Sequence, residues 1–158
     1  TFGGQGLDWV GAGTGSNTEG ILKKAKVIER ARIRNQESLN TPFEILMSLG
    51  GREQAAICGA LVAARCHSIP VIIDGFIASS AIAPLASIDQ IYDNVIFAHQ
   101  SAEAGHSRLL SKLGKVPMFD LGMRLGEGSG AALALSIVRA SLACHNGMAT
   151  FSEAGIGE

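Results

Sequence analysis

The segment Arg124-Leu125-Gly126-Glu127-Gly128-Ser129-Gly130 places two opposite charges among glycines and small residues, directly ahead of a long apolar run. A carboxylate flanked by glycine can approach a ligand closely, and one held within about 2.6–3.2 Å of an acidic N–H can take its proton. The competing reading is an Arg124–Glu127 ion pair beside a helix start, because structural ion pairs also bring opposite charges together. The residue types leave both open.

Asp74-Gly75 follows the apolar triplet Val71-Ile72-Ile73. A carboxylate there can accept hydrogen bonds from ribose hydroxyls, and a turn or cap aspartate is the alternative. The run Gly11-Ala12-Gly13-Thr14-Gly15 lets backbone N–H groups approach a phosphate or ribose just before a helix, or it is simply a turn. It lacks the Lys-Ser/Thr of a Walker loop, and Ser16 stands where the dinucleotide fingerprint needs a third glycine, which disfavours a dinucleotide-dependent oxidoreductase. His99 and His106 have only Glu103 between them as a further ligand type and no cysteine partner, so no metal site is expected. Ser101 has no activating neighbour for nucleophilic chemistry. His67 and His145, on Ala-rich helical stretches, read as surface or internally satisfied groups.

The elements that must position these residues can be read from periodicity and punctuation. Leu7 to Val10 reads as a short strand entering the glycine turn, and Thr18 to Arg34 as a helix with Ile21, Leu22, Val27 and Ile28 on one side. Thr41-Pro42-Phe43-Glu44 has the form of a capping box that starts a helix to about Leu49. Gly50-Gly51 interrupts, and Glu53 to Cys66 is a second, Ala-rich helix leading through Pro70 into the strand Val71-Ile72-Ile73. Phe76 to Leu85 and Ser101 to Leu113 read as helices, Asn94 to Ala98 as a strand, Met118 to Leu121 as strand or loop, and Gly130 to His145 as a long helix. The apolar strands do not alternate, so both faces are covered: the expectation is an α/β fold, a three-layer αβα arrangement with a mostly parallel, Rossmann-like sheet. In such a sheet ligands gather beyond the carboxyl ends of the strands, where Gly11 to Gly15, Asp74-Gly75, His99 to Ser101 and Arg124 to Gly130 would share one rim.

Composition narrows the partners. With 158 residues, 47% hydrophobic and 17% charged, residues 1–158 read as a single α/β domain around one core. Thirteen basic against 14 acidic residues give a net charge of −1, without the positive footprint that a nucleic-acid partner demands. No run reaches the roughly 18–20 apolar residues of a membrane span, and no secretory signal is visible. Cys58, Cys66 and Cys144, odd in number and set in Ala-rich sequence, read as small buried hydrophobes in a reducing compartment; the expected location is cytoplasmic.

Taken in order, Val10-Gly11-Ala12-Gly13-Thr14-Gly15, Gly50-Gly51 with Glu53, Asp74-Gly75-Phe76-Ile77, Ala98-His99-Gln100-Ser101-Ala102-Glu103-Ala104-Gly105-His106, Arg124 to Gly130, and Met148-Ala149-Thr150-Phe151 resemble the nicotinate-nucleotide:dimethylbenzimidazole phosphoribosyltransferases of cobalamin biosynthesis. The resemblance covers essentially the whole chain. It implies transfer of the phosphoribosyl group of nicotinate mononucleotide to a benzimidazole, with Glu127 as general base, no cofactor or metal, and a homodimer. It further implies that Gly11, Gly13, Asp74, Gly75, Ser101 and Arg124 contact the nucleotide, with Leu125, beside Gly126, bordering the benzimidazole. Ala12 departs from the arginine common in the family. Family enzymes are about twice this long, and their Gly-Glu-Met-Gly-Ile-Gly-Asn-Thr-Thr type phosphate loop is absent here, so the chain is expected to be a C-terminal portion. The alternative is a nucleotide- or benzimidazole-binding module without turnover.

Overall fold

A computed structural model describes residues 1–12, 15 and 17–157. Helix α1 (Thr18–Arg34) starts where the Asn17 side chain accepts the Gly20 N–H at 3.0 Å. Its apolar side is largely open: among its residues only Ala25 is buried, and Leu22, Val27 and Ile28 are exposed. Helix α2 (Pro42–Leu49) carries the expected box, with Thr41 Oγ1 accepting from the Glu44 N–H and the Glu44 carboxylate accepting from the Thr41 N–H. A cap of this kind contributes about 1 kcal/mol.

Helix α3 (Arg52–Cys66) then feeds strand β1 (Val71–Ile73), which is followed by helix α4 (Phe76–Ile82) and a 3-10 turn at Ala83–Leu85. Strand β2 (Val95–Phe97) pairs in parallel with β1, Ile72 opposite Ile96. Helices α5 (Ala104–Leu113) and α6 (Ser129–Gly147) complete the described elements. The fold is therefore mixed α/β with a small two-stranded parallel sheet and helices around it, a smaller sheet than the sequence suggested. Met118 and Phe119 run beside β2 and make one parallel bridge, His99 with Phe119.

Two boundaries differ for local reasons. Leu7 to Val10 is not a strand: Gly6–Asp8 forms a 3-10 turn, because the Asp8 carboxylate accepts the Gln5 N–H at 2.8 Å while the Asp8 N–H returns to the Gln5 carbonyl. Helix α5 begins at Ala104 rather than Ser101, since Ser101 Oγ accepts the Glu103 N–H and the Ala102 N–H goes to the Met123 carbonyl.

The core lies between α3, α4, α5 and the sheet, with Leu61, Ile73, Ile82, Leu85, Phe97 and Leu110 at its centre. The Tyr92 hydroxyl, inside this core, donates to the Ile82 carbonyl at 2.7 Å, so its polar end is satisfied. Cys58 is buried as expected, but Cys66 and Cys144 are exposed, because they fall on the outward faces of α3 and α6. His67 and His145 are exposed as well. Among the described residues no helix is long and apolar enough to cross a membrane.

Candidate functional site

The carboxyl ends of β1 and β2 lead into a buried polar floor. Asp74, directly after β1, accepts the Ala131 N–H of the first turn of α6 at 2.8 Å through Oδ1. Its negative charge thus sits at the positive end of a helix dipole, a favourable arrangement of about 0.3–1 kcal/mol. Of the two readings of Asp74, cap and ligand contact, the structure shows the cap, on a helix far away in sequence, while the residue also lines the cleft described below. After β2, His99 is buried and stacks on Phe119 at 6.0 Å between centroids, with its Nε2 3.9 Å from Asp74 Oδ1. The Ser101 N–H donates to His106 Nδ1 at 2.9 Å, which requires the ring hydrogen on Nε2, where it reaches Ser79 Oγ at 3.1 Å. Burial first, then the neighbouring His99, depress the His106 pKa to about 4 against an opposing pull from Asp74, so this ring is neutral near pH 7.

The lip is made differently. Gly126, Glu127 and Gly128 have φ values of +83°, +59° and +73° in succession. Glycine adopts this left-handed region freely, but for glutamate it costs roughly 1–2 kcal/mol. The turn is closed by Ser129 Oγ, which donates to the Gly126 carbonyl at 2.7 Å. Arg124, Leu125 and Glu127 are exposed, and among the described residues Arg124 and Glu127 make no ion pair with each other. The structural-pair reading of this segment therefore has no support.

Floor and lip enclose a cleft of about 640 Å³. It brings together Gly11, Asp74, Gly75, Ser101, Arg124, Leu125, Gly126 and Glu127; Gly13 lies outside the described residues. Gly11 lies directly against the Glu103 carboxylate, which would have to swing aside for a side chain at this position. The cleft also takes in residues that the sequence pattern did not single out. Lys24 reaches from α1 to the Gly11 and Ala12 carbonyls at 3.5 Å and lines the cleft. Val10, Ile57, Phe76 and Ile77 form an apolar wall next to Leu125. Asp8 and Trp9 are tied to α5 by Arg108, 3.5 Å from the Asp8 carboxylate and 5.8 Å above the Trp9 ring. Lys24 had no signal separating it from Lys23 and Lys26, because which lysine faces inward depends on Ala25 being the buried position. His99 had one: it lies just past the strand, on the predicted rim.

Chemically, such a cleft offers a carboxylate that could act as a base, two cations suited to a phosphate, and apolar side chains suited to an aromatic ring. Among the described residues no group of three or more His, Cys, Asp or Glu side chains is placed to hold a metal ion. A phosphoribosyltransferase family model matches residues 1–156. The chain belongs to this phosphoribosyltransferase family. It is 54% identical over 156 residues to the nicotinate-nucleotide–dimethylbenzimidazole phosphoribosyltransferase of Brucella anthropi, covering 98% of this chain and 46% of that protein. The counterpart in Novosphingobium aromaticivorans is 53% identical over 159 residues, covering all of this chain and 47% of the relative. Among solved structures, CobT from Thermus thermophilus superposes with a TM-score of 0.87 at 34% identity, over 98% of this chain and 46% of that one. The chain thus spans about half the length of the family members it matches.

Proposed function

We propose that this region is the acceptor-activating part, and the C-terminal portion, of an enzyme that transfers the phosphoribosyl group of nicotinate mononucleotide to 5,6-dimethylbenzimidazole. The products are α-ribazole 5′-phosphate and nicotinate, and the reaction serves assembly of the lower ligand of cobalamin. The observation that carries this reading is the placement of Glu127, an exposed carboxylate in the left-handed region with no ion-pair partner among the described residues, at the lip of a cleft with an apolar wall.

In this reading the benzimidazole lies against Leu125 and Phe76 with its N–H toward Glu127. One ring nitrogen attacks C1′ of the ribose while the bond from C1′ to the nicotinate nitrogen breaks. The electron pair of that bond neutralises the pyridinium, so the leaving group needs no proton. The opposite azole N–H becomes acidic as its ring gains positive charge, and Glu127 takes that proton. Asp74, Gly75, Ser101, Gly11 and Gly13 hold the ribose, and Arg124 and Lys24 face its phosphate. Positioning supplies much of the rate, because the donor already carries a good leaving group.

Incubating full-length protein with nicotinate mononucleotide and dimethylbenzimidazole should release nicotinate and form α-ribazole 5′-phosphate. Wild-type turnover in Glu127→Gln would remove Glu127 from its assigned role. Since the described chain spans half of its relatives, calorimetry on the 158-residue chain separates the alternative of a ligand-binding module: heat with either ligand but no transfer favours it. We further infer, on the likeness to the family alone, a homodimer in the cytoplasm, in which the two strands are part of a larger three-layer αβα parallel sheet.

A further inference from the structure

We infer that His99 is a positioning residue: with Asp74 it fixes the start of α6 and, through it, the carboxylate of Glu127. This rests on the reading of Glu127 as the base. The point of departure is an imidazole that local structure does not account for. His99 is 2% exposed, and neither ring nitrogen has a hydrogen-bond partner among the described residues. Leaving a buried polar group unmatched is destabilising, more so than a phenyl ring in the same place. Both nitrogens are buried although the ring borders the cleft, so the contacts through which they act are those with neighbouring residues.

Those neighbours converge on one helical turn. A Cβ on Gly130 would lie 2.1 Å from His99 Cδ2, so the α6 backbone rests directly on the ring. His99 Nε2 stands 3.9 Å from Asp74 Oδ1, the same oxygen that accepts the Ala131 N–H. The tautomer carrying hydrogen on Nε2 therefore turns its N–H dipole toward the carboxylate that anchors α6. Phe119 on one face and the edge of His106, 6.3 Å away, leave the ring little room to turn. Gly130 and Ala131 follow Glu127 by little more than one turn, and Ser129 locks the intervening loop back onto Gly126. A shift of the first turn of α6 is thereby passed to the base, and a misplacement of about 1 Å costs on the order of a hundredfold in rate.

The test uses His99→Phe, which keeps a ring on Phe119 but removes the nitrogens, and His99→Gln, which restores an N–H near the Nε2 position, both in full-length protein. We expect His99→Phe to lower kcat by about ten- to a hundredfold with KM for either substrate held within about twofold, and His99→Gln to recover most of that loss. In a Glu127→Gln background His99→Phe should cost less than about twofold, because the group it positions is gone. Equal losses in both backgrounds, or a raised KM at unchanged kcat, overturn the inference. A separate measurement is independent of turnover: amide exchange at Ala131 in unliganded protein should quicken by about tenfold in His99→Phe and return toward wild type in His99→Gln. Unchanged exchange at Ala131 overturns the inference even if transfer is seen. If the wild type shows no transfer, the proposed reaction fails, and the exchange experiment alone decides the role of His99. If His99→Phe does not fold, His99→Gln against wild type carries the same comparisons: a smaller loss of kcat that vanishes beside Glu127→Gln supports the inference, and an additive loss overturns it.

Discussion

The floor of the cleft, formed by Asp74, His99, Ser101 and His106, is buried or half-buried, and its backbone donors and side chains come from β1, β2, α5 and α6. The lip, formed by Lys24 and Arg124 to Glu127, is largely exposed and held by two hydrogen bonds from Ser129 to the Gly126 carbonyl and two long ones from Lys24. The charge at the lip stays in water, where it costs little to keep ionised. The contacts that aim it are sunk in the interior, where low dielectric strengthens them. Substitutions at the lip should accordingly change rate without stability, and substitutions in the floor should change both.

The largest expected effect is at the lip. Glu127→Gln should lower kcat by about 10²–10⁴-fold while the melting temperature stays within a degree or two, as nicotinate release and calorimetry would show. An equally large fall in stability would merge lip and floor into one unit. In the floor, Gly130→Ala places a methyl group 2.1 Å from His99 Cδ2 and should destabilise by about 1–3 kcal/mol in denaturant unfolding, with activity falling too.

The floor also predicts a pH response. With its folded pKa near 4, His106 is less readily protonated folded than unfolded, where the value is 6.5. Its contribution is therefore complete above pH 6.5 and is lost as pH falls toward about 4, because the unfolded state binds the extra proton across that window. Unfolding at pH 7, 5 and 4 should show a loss on the order of 2–3 kcal/mol, and His106→Gln should flatten that part of the curve. A flat wild-type profile over this range would break the contrast. The smallest effect sharpens it: Glu127→Gly abolishes transfer but relieves the left-handed glutamate, and should leave stability equal or higher by up to about 1 kcal/mol.

What could be read in advance follows the range of the interaction. The Thr41–Glu44 box was legible because both hydrogen bonds span three residues. The Asp74–Ala131 bond was not, because nothing near Asp74 shows that its partner lies on α6, 57 residues away. The strand expected at Leu7 to Val10 failed on a local competitor, the Asp8 carboxylate, which apolar pattern alone does not weigh. The exposed faces of α1 and α6 likewise carry apolar residues that a hydrophobicity pattern would place inside.

By itself the sequence determined the helices, the two apolar strands, the glycine-bracketed Glu127 and, through ordered motifs, the family, because each is written in short-range spacing of residue types. Only the tertiary structure decided that Lys24 is the lysine facing the cleft, that Asp74 anchors α6, and that His99 is buried against the start of that helix. Those outcomes depend on which surfaces of distant elements touch, and that is set by packing the whole core rather than by any local run of residues.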